Sequence, residues 1–200
     1  MILVVGRPRL GERGELEGNA ARVALAAAQA GGRVELVGSV GDAAAGEAAA
    51  LALGRAGVGH AALLRDPAAQ TARQAGKERL PRLDANDLQL GLSYLADCRV
   101  LVLAESLEPA AQQVALEAAD YHGAWLIMLH DGERELPTDL PAKATVLGVP
   151  QEDGGAFTQL VGRYAAALAR GEPAERAWQD ALAGSGWEEP AGATVRPSEE

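Results

Sequence analysis

A single cysteine, Cys98, stands among the 200 residues, so the chain has no internal disulfide framework and no zinc site built on several thiolates. Aromatic side chains are nearly as scarce, at 4%. Trp125 suits a core position, and Trp178 and Trp187 are too isolated to form a stacking platform for single-stranded nucleic acid. Positive charge is also short: 18 Lys and Arg against 28 Asp and Glu leave a formal net charge of −10. That balance argues against a chain built mainly to coat nucleic acid or an anionic membrane. No apolar run approaches the ~20 residues of a membrane span. His60, His122 and His130 lack metal-ligand spacing, so no metal is expected. Residues 1–6 have no basic leader and read as a first strand, which points to the cytoplasm.

What is present is a large apolar share, 48%, carried by Ala, Leu and Val. Small side chains suit helices packed closely against a sheet. A chain of this length buries roughly 70% of its unfolded surface. One domain is expected over residues 1–183, with a flexible tail at 184–200 that is rich in Gly, Pro and Glu.

The order of elements is informative. Residues 2–5 form a short apolar run ending at Gly6, as a buried strand would. Residues 18–30 are strong helix formers, stopped by Gly31 and Gly32. Residues 33–37 read as the next strand and 38–42 as a tight turn, with Gly41 in a turn conformation and Asp42 capping a helix over 43–56. A strand over 58–64 follows, then a weakly patterned stretch to residue 83. Helices are expected at 84–95, 109–121, 156–170 and 173–183, and strands at 99–103, 124–129 and 145–149. Pro109 suits a first helical position, where its missing N–H costs nothing. Strands alternating with helices indicate a mostly parallel sheet covered on both faces. Ligands of such folds bind beyond the carboxyl ends of the strands.

One segment carries a family resemblance. Residues 18–31, Gly-Asn-Ala-Ala-Arg-Val-Ala-Leu-Ala-Ala-Ala-Gln-Ala-Gly, are followed by Val34-Glu35-Leu36-Val37-Gly38-Ser39-Val40-Gly41-Asp42 and Gly46. This resembles the first signature of the PfkB/ribokinase family of carbohydrate kinases. Gly57-Val58, Arg65-Asp66-Pro67, Thr71 and Leu107-Glu108-Pro109 continue in the order that family shows. The resemblance covers about residues 1–135. It implies a ribokinase-like three-layer α/β/α sandwich, with a lid at residues 66–83 that is reduced or absent. It also implies an ATP- and magnesium-dependent kinase acting on a sugar or nucleoside hydroxyl.

The departures from the family pattern bear on that activity. The family's substrate-holding aspartate after the first strand is missing, since this chain reads Gly6-Arg7-Pro8-Arg9-Leu10-Gly11 with no acid before Glu12. Arg22 stands where the signature carries a substrate-binding asparagine, and arginine has no acceptor and a fixed charge. The family's Gly-Ala-Gly-Asp motif matches Asp153-Gly154-Gly155-Ala156-Phe157 in one alignment, with Gly155 in place of the aspartate base. A second alignment fits the same stretch to Asn-x-x-Glu, with Gln151 and Gly154 in place of its two functional residues. Neither supplies a catalytic residue, although Glu152 and Asp153 lie close by.

The candidate substrate-binding residues are Gly18, Asn19, Arg22, Arg7, Arg9 and Asp42; Asp153, Gly154 and Gly155 are the candidates for nucleotide. Each has a structural alternative: Gly18 and Asn19 as a helix turn and cap, Asp42 as an N-cap, the arginines as solvated charge. Glu105 and Glu108 either pair with those arginines or serve as helix-start acids. Two functions stand. One is a divergent kinase homologue that has lost phosphoryl transfer and keeps at most the binding of a small, anionic, sugar-like molecule. The other is an active sugar or nucleoside kinase with a rearranged site, using ATP and magnesium. A dinucleotide binder would need a Gly-x-Gly-x-x-Gly turn after the first strand, which is absent. A small-molecule ligand and a homo-oligomer are the partners that remain open.

Overall fold

The computed structural model describes residues 1–41, 44–69, 80–151 and 155–187. Its main sheet has six strands: β1 (Ile2–Val5), β4 (Val34–Gly41), β5 (Leu63–Asp66), β6 (Val100–Leu103), β7 (Trp125–His130) and β8 (Ala144–Gly148). They lie in the order β5-β4-β1-β6-β7-β8, and every neighbouring pair is parallel. A two-stranded antiparallel ribbon, β2 (Arg9–Leu10) with β3 (Leu16–Glu17), stands apart from it. The helices are α1 (Gly18–Gln29), α2 (Ala44–Arg55), α3 (Ala85–Ser93), α4 (Pro109–Tyr121), α5 (Ala156–Arg170) and α6 (Ala174–Ser185).

Alternation along the strands divides the core into two layers. Ile2 and Val4 of β1 join the buried cluster that holds α1, α5 and α6, while Leu3 and Val5 join the cluster with α3 and α4. With both faces covered, the central strands are apolar throughout, as a parallel sheet requires. Each fully buried Leu or Ile contributes about 1.5–3 kcal/mol. The architecture is the expected three-layer α/β/α sandwich.

Small residues set the spacing of the first layer. Ala20, Ala24 and Ala27 of α1 are buried against the sheet and α5. A Cβ on Gly162 of α5 would lie 2.5 Å from Ala26 Cβ and 2.6 Å from the Ala27 nitrogen, so α5 sits almost backbone to backbone on α1. Helix ends follow local rules. Asp84 caps α3, accepting from the Asn86 and Asp87 N–H groups, and Asp87 returns a bond to the Asp84 N–H. Gly31 takes φ 84° after α1, and Gly171 takes φ 87° after α5.

Two expectations are corrected. Residues 38–41 are not a turn: β4 runs on to Gly41, and Gly38 to Gly41 pair in register with Leu63 to Asp66. The strand expected over 58–64 begins only at Leu63, because the Val58 N–H is still spent on the Leu53 carbonyl at the end of α2. Asp42 and most of the stretch expected to be a trimmed lid, residues 70–79, lie outside the described residues. So do most of residues 184–200. The first residues of that stretch are packed, since Ser185 closes α6 and the Trp187 ring lies 5.3 Å from that of Phe157.

Candidate functional site

The carboxyl ends of β1, β4, β6 and β7 converge beside the N-terminus of α1. Two glycines let the backbone close up there. Gly6 has φ 153°, and a Cβ on it would lie 2.8 Å from Ala20 Cβ. A Cβ on Gly38 would run into the Gly6 carbonyl oxygen. The Gly6 N–H donates to the Val37 carbonyl at 3.0 Å, locking β1 to β4 at this point.

Arg7 follows immediately and is held by Glu105, the second residue past the end of β6. The Arg7 backbone N–H and Nε both donate to Glu105 Oε1, at 3.0 and 2.7 Å, and Nη1 reaches the Pro81 carbonyl at 3.4 Å. Arg7 and Glu105 are mostly covered, with side-chain exposures of 22% and 27%. Burial pushes the Glu105 carboxyl above its ordinary value, and the charges and hydrogen bonds of Arg7, with the charge of Arg9, offset this only in part. Arg7 is therefore committed to an internal ion pair.

Arg9 is placed differently. It is exposed on β2, and its Nε lies 3.3 Å from where a Cβ on Gly18 would stand, which lays its side chain against the first residue of α1. Gly18 itself has φ 81°, a conformation that disfavours any β-carbon. The N-cap of α1 is Glu17, and it makes no side-chain capping bond, so Asn19 is not the cap that its neighbourhood suggested. No acid occupies the first turn. Arg22 is exposed one turn into the helix and makes no hydrogen bond or ion pair among the described residues. No side chain among the described residues caps the start of α1, and the positive charge of Arg9 lies beside it, both elements of an anion site.

Across the sheet, Asp131 follows β7. The Ser106 hydroxyl donates to its Oδ1 at 2.7 Å and the Glu133 N–H at 3.0 Å. Desolvation pushes this carboxyl up, but those two bonds, its own backbone N–H and the charge of His130 together hold it below the ordinary value. Glu108 pairs with Arg134 at 2.6 Å, not with Arg7 or Arg9. No group of His, Cys, Asp and Glu suited to a metal ion occurs among the described residues.

At the nucleotide-side candidate, Gly155 is the N-cap of α5 with φ 96°. Its carbonyl accepts from Thr158 Oγ1 at 2.9 Å and from the Gln159 N–H at 3.1 Å. The helix therefore opens on Ala156, Phe157 and Thr158, and its first turn carries no acid. Phe157 is buried at 3% exposure. Glu152, Asp153 and Gly154 lie outside the described residues.

This parallel α/β/α sandwich has the PfkB/ribokinase fold. The PfkB protein from Polaromonas sp. JS666 superposes with a TM-score of 0.68 at 11% identity, over 92% of this chain and 94% of that one. Ribokinase from Arabidopsis thaliana, solved with ribose and ATP, gives 0.64 at 15% identity over 92% and 90%. Phosphofructokinase-2 from Escherichia coli, solved with fructose-6-phosphate, gives 0.62 at 17% over 92% and 91%. No family model and no curated protein matches the chain by sequence. No helix among the described residues is long and apolar enough to cross a membrane.

Sequence reasoning weighed Glu105 as a partner for the arginines without choosing it, and missed Ser106 and Pro81. The signal for Glu105 was its place just past a central strand, the same level as Arg7.

Proposed function

We propose that this chain is a carbohydrate-kinase homologue that no longer transfers phosphoryl groups and uses its strand-end cleft to hold a small anion, of sugar-phosphate or carboxylate type. The carrying observation is the first turn of α5, where Phe157 and Thr158 follow Gly155 and Ala156 and no carboxylate is available among the described residues. Positioning and charge stabilisation supply nearly all of the catalysis in phosphoryl transfer. A helix start with no carboxylate among the described residues, together with an arginine where the resemblance implies a substrate-binding asparagine, lacks parts of that machinery.

Support for the anion comes from the other helix. The uncapped start of α1, Arg9 laid against Gly18 and Arg22, which has no partner among the described residues, suit a charged ligand better than a neutral hydroxyl. Arg7 serves as support, through its pair with Glu105. Among the solved neighbours, phosphofructokinase-2 was crystallised with a sugar phosphate, which is consistent with this chemistry on this fold.

Two measurements test the reading. Purified protein with ATP, magnesium and a panel of sugars and nucleosides should give no phosphorylated product, and turnover near the ~1–100 per second of ordinary kinases overturns the first half. Calorimetry should show phosphorylated sugars binding in preference to neutral ones. Arg22→Ala should weaken that binding by about 1.5–3 kcal/mol, the worth of a charge-assisted hydrogen bond. Equal affinity for both classes, or no effect of the substitution, overturns the second half.

A further inference from the structure

A groove of about 470 Å³ opens where α5, α6 and the C-terminal end of α1 meet. Three guanidinium groups, of Arg163, Arg170 and Arg176, line it against two carboxylates, of Glu172 and Asp180. On a chain of net charge −10, a concave site with more cation than anion is a local reversal of the overall field.

The three arginines are held in different ways. Arg163 and Arg170 stand seven residues apart on α5, two turns along one face. Arg170 is fixed: its Nη1 donates to the Ala30 carbonyl at 3.1 Å, closing the end of α1, and its Nε donates to Glu172 Oε1 at 2.9 Å. Arg163 lies against α6, where a Cβ on Gly184 would come within 2.6 Å of its Nη1. It makes no hydrogen bond or ion pair among the described residues. Arg176 meets Asp180 at 3.6 Å with both side chains largely exposed, 77% and 64%. An exposed pair at that distance contributes little and yields readily to a stronger acceptor.

We propose that this groove binds a small multivalent oxyanion, a phosphate ester or polyphosphate, between Arg163 and Arg176, with Arg170 as the prepositioned third cation. A guanidinium without an acceptor among the described residues, beside one only loosely paired, offers forked donors that match phosphate oxygens. The charge ratio favours a multivalent ligand, because it must compete with Asp180 for Arg176. The site is separate from the strand-end cleft. Arg170 ends the helix that Gly155 caps, and fifteen residues of helix span about 22 Å.

The test is calorimetric titration of the full chain with inorganic pyrophosphate, on wild type, on Arg9→Gln, and on Arg163→Gln and Arg176→Gln each alone and combined with Arg9→Gln. Arg163→Gln and Arg176→Gln should each weaken binding at this groove at least about tenfold, and the loss should persist in an Arg9→Gln background, where the strand-end cleft is impaired. Thermal melts establish that the variants fold. Should Arg163→Gln fail to fold, Arg176→Gln carries the test, since its side chain is exposed in the first turn of α6. Absence of pyrophosphate binding to wild type overturns the proposal, as does binding that Arg9→Gln abolishes and Arg176→Gln leaves intact.

Discussion

Replacing Gly38 with alanine adds one methyl group at the point where β4 passes closest to the end of β1. The new Cβ would overlap the Gly6 carbonyl oxygen and lie 3.1 Å from the Gly6 carbonyl carbon and 3.2 Å from Leu36 Cδ2. The first two are backbone atoms of the residue that follows a central strand, so no side chain can swing aside to make room. Either β4 or the residue after β1 must move, and the Gly6 N–H bond to the Val37 carbonyl, 3.0 Å long, must stretch with it. Overpacking of this kind costs about 1–3 kcal/mol. A weakened backbone bond adds about 0.5–1.5 kcal/mol. The expected loss is then about 2–4 kcal/mol, a fall in Tm of roughly 5–15 °C for a domain of this size. Gly148→Ala is the matched control: it is an exposed strand-end glycine with nothing within 4 Å of its added Cβ. It should change stability by less than about 0.5 kcal/mol. Urea unfolding and thermal melts of the three proteins make the comparison. If Gly38→Ala is as stable as the control, the close approach of β1 and β4 does not shape this cleft as argued.

Two further expectations follow from the packing and the charges. Gly162→Ala should destabilise the fold by about 1–3 kcal/mol in urea unfolding, because its Cβ would meet Ala26 and the Ala27 backbone and push α5 off α1; an unchanged midpoint would refute that. The Glu105 carboxyl has a raised value in the folded chain, so its contribution to stability is fully present below its unfolded value of about 4.3 and is lost as pH rises through the folded one. Relative to wild type, Glu105→Gln should therefore gain stability as pH rises over that window. Urea midpoints measured in steps from about pH 4 to 7 should show the difference growing and then levelling, whereas a constant difference removes burial as the dominant influence on this carboxylate.

Much of the fold was legible in the residues. The continuous apolar runs of β1, β6 and β7 announced strands buried on both faces, and Pro109 and the Gly31-Gly32 pair marked a helix start and a helix stop where they occur. The boundaries that failed depended on partners distant in sequence. Gly38 and Gly41 look like turn residues because glycine is the usual turn residue, yet β5 pairs with them and keeps the strand extended. The two-residue strands β2 and β3 were too short to carry any periodicity.

The candidate site divides the same way. The sequence by itself determined the layered α/β class, the charge balance and the place of Arg22 in an alanine-rich first helix, because composition, period and local motif are properties of neighbours along the chain. Only the tertiary structure decided which charges are spent. Arg7 and Arg9 are two residues apart on the same segment, but Glu105, 98 positions from Arg7, neutralises the first, while the second lies against the start of α1. The arginines of α5 and α6 come to line one groove only because the turn at Gly171 brings the second helix back against the first. Electrostatic energy depends on distance through space and on burial, and a linear sequence states neither.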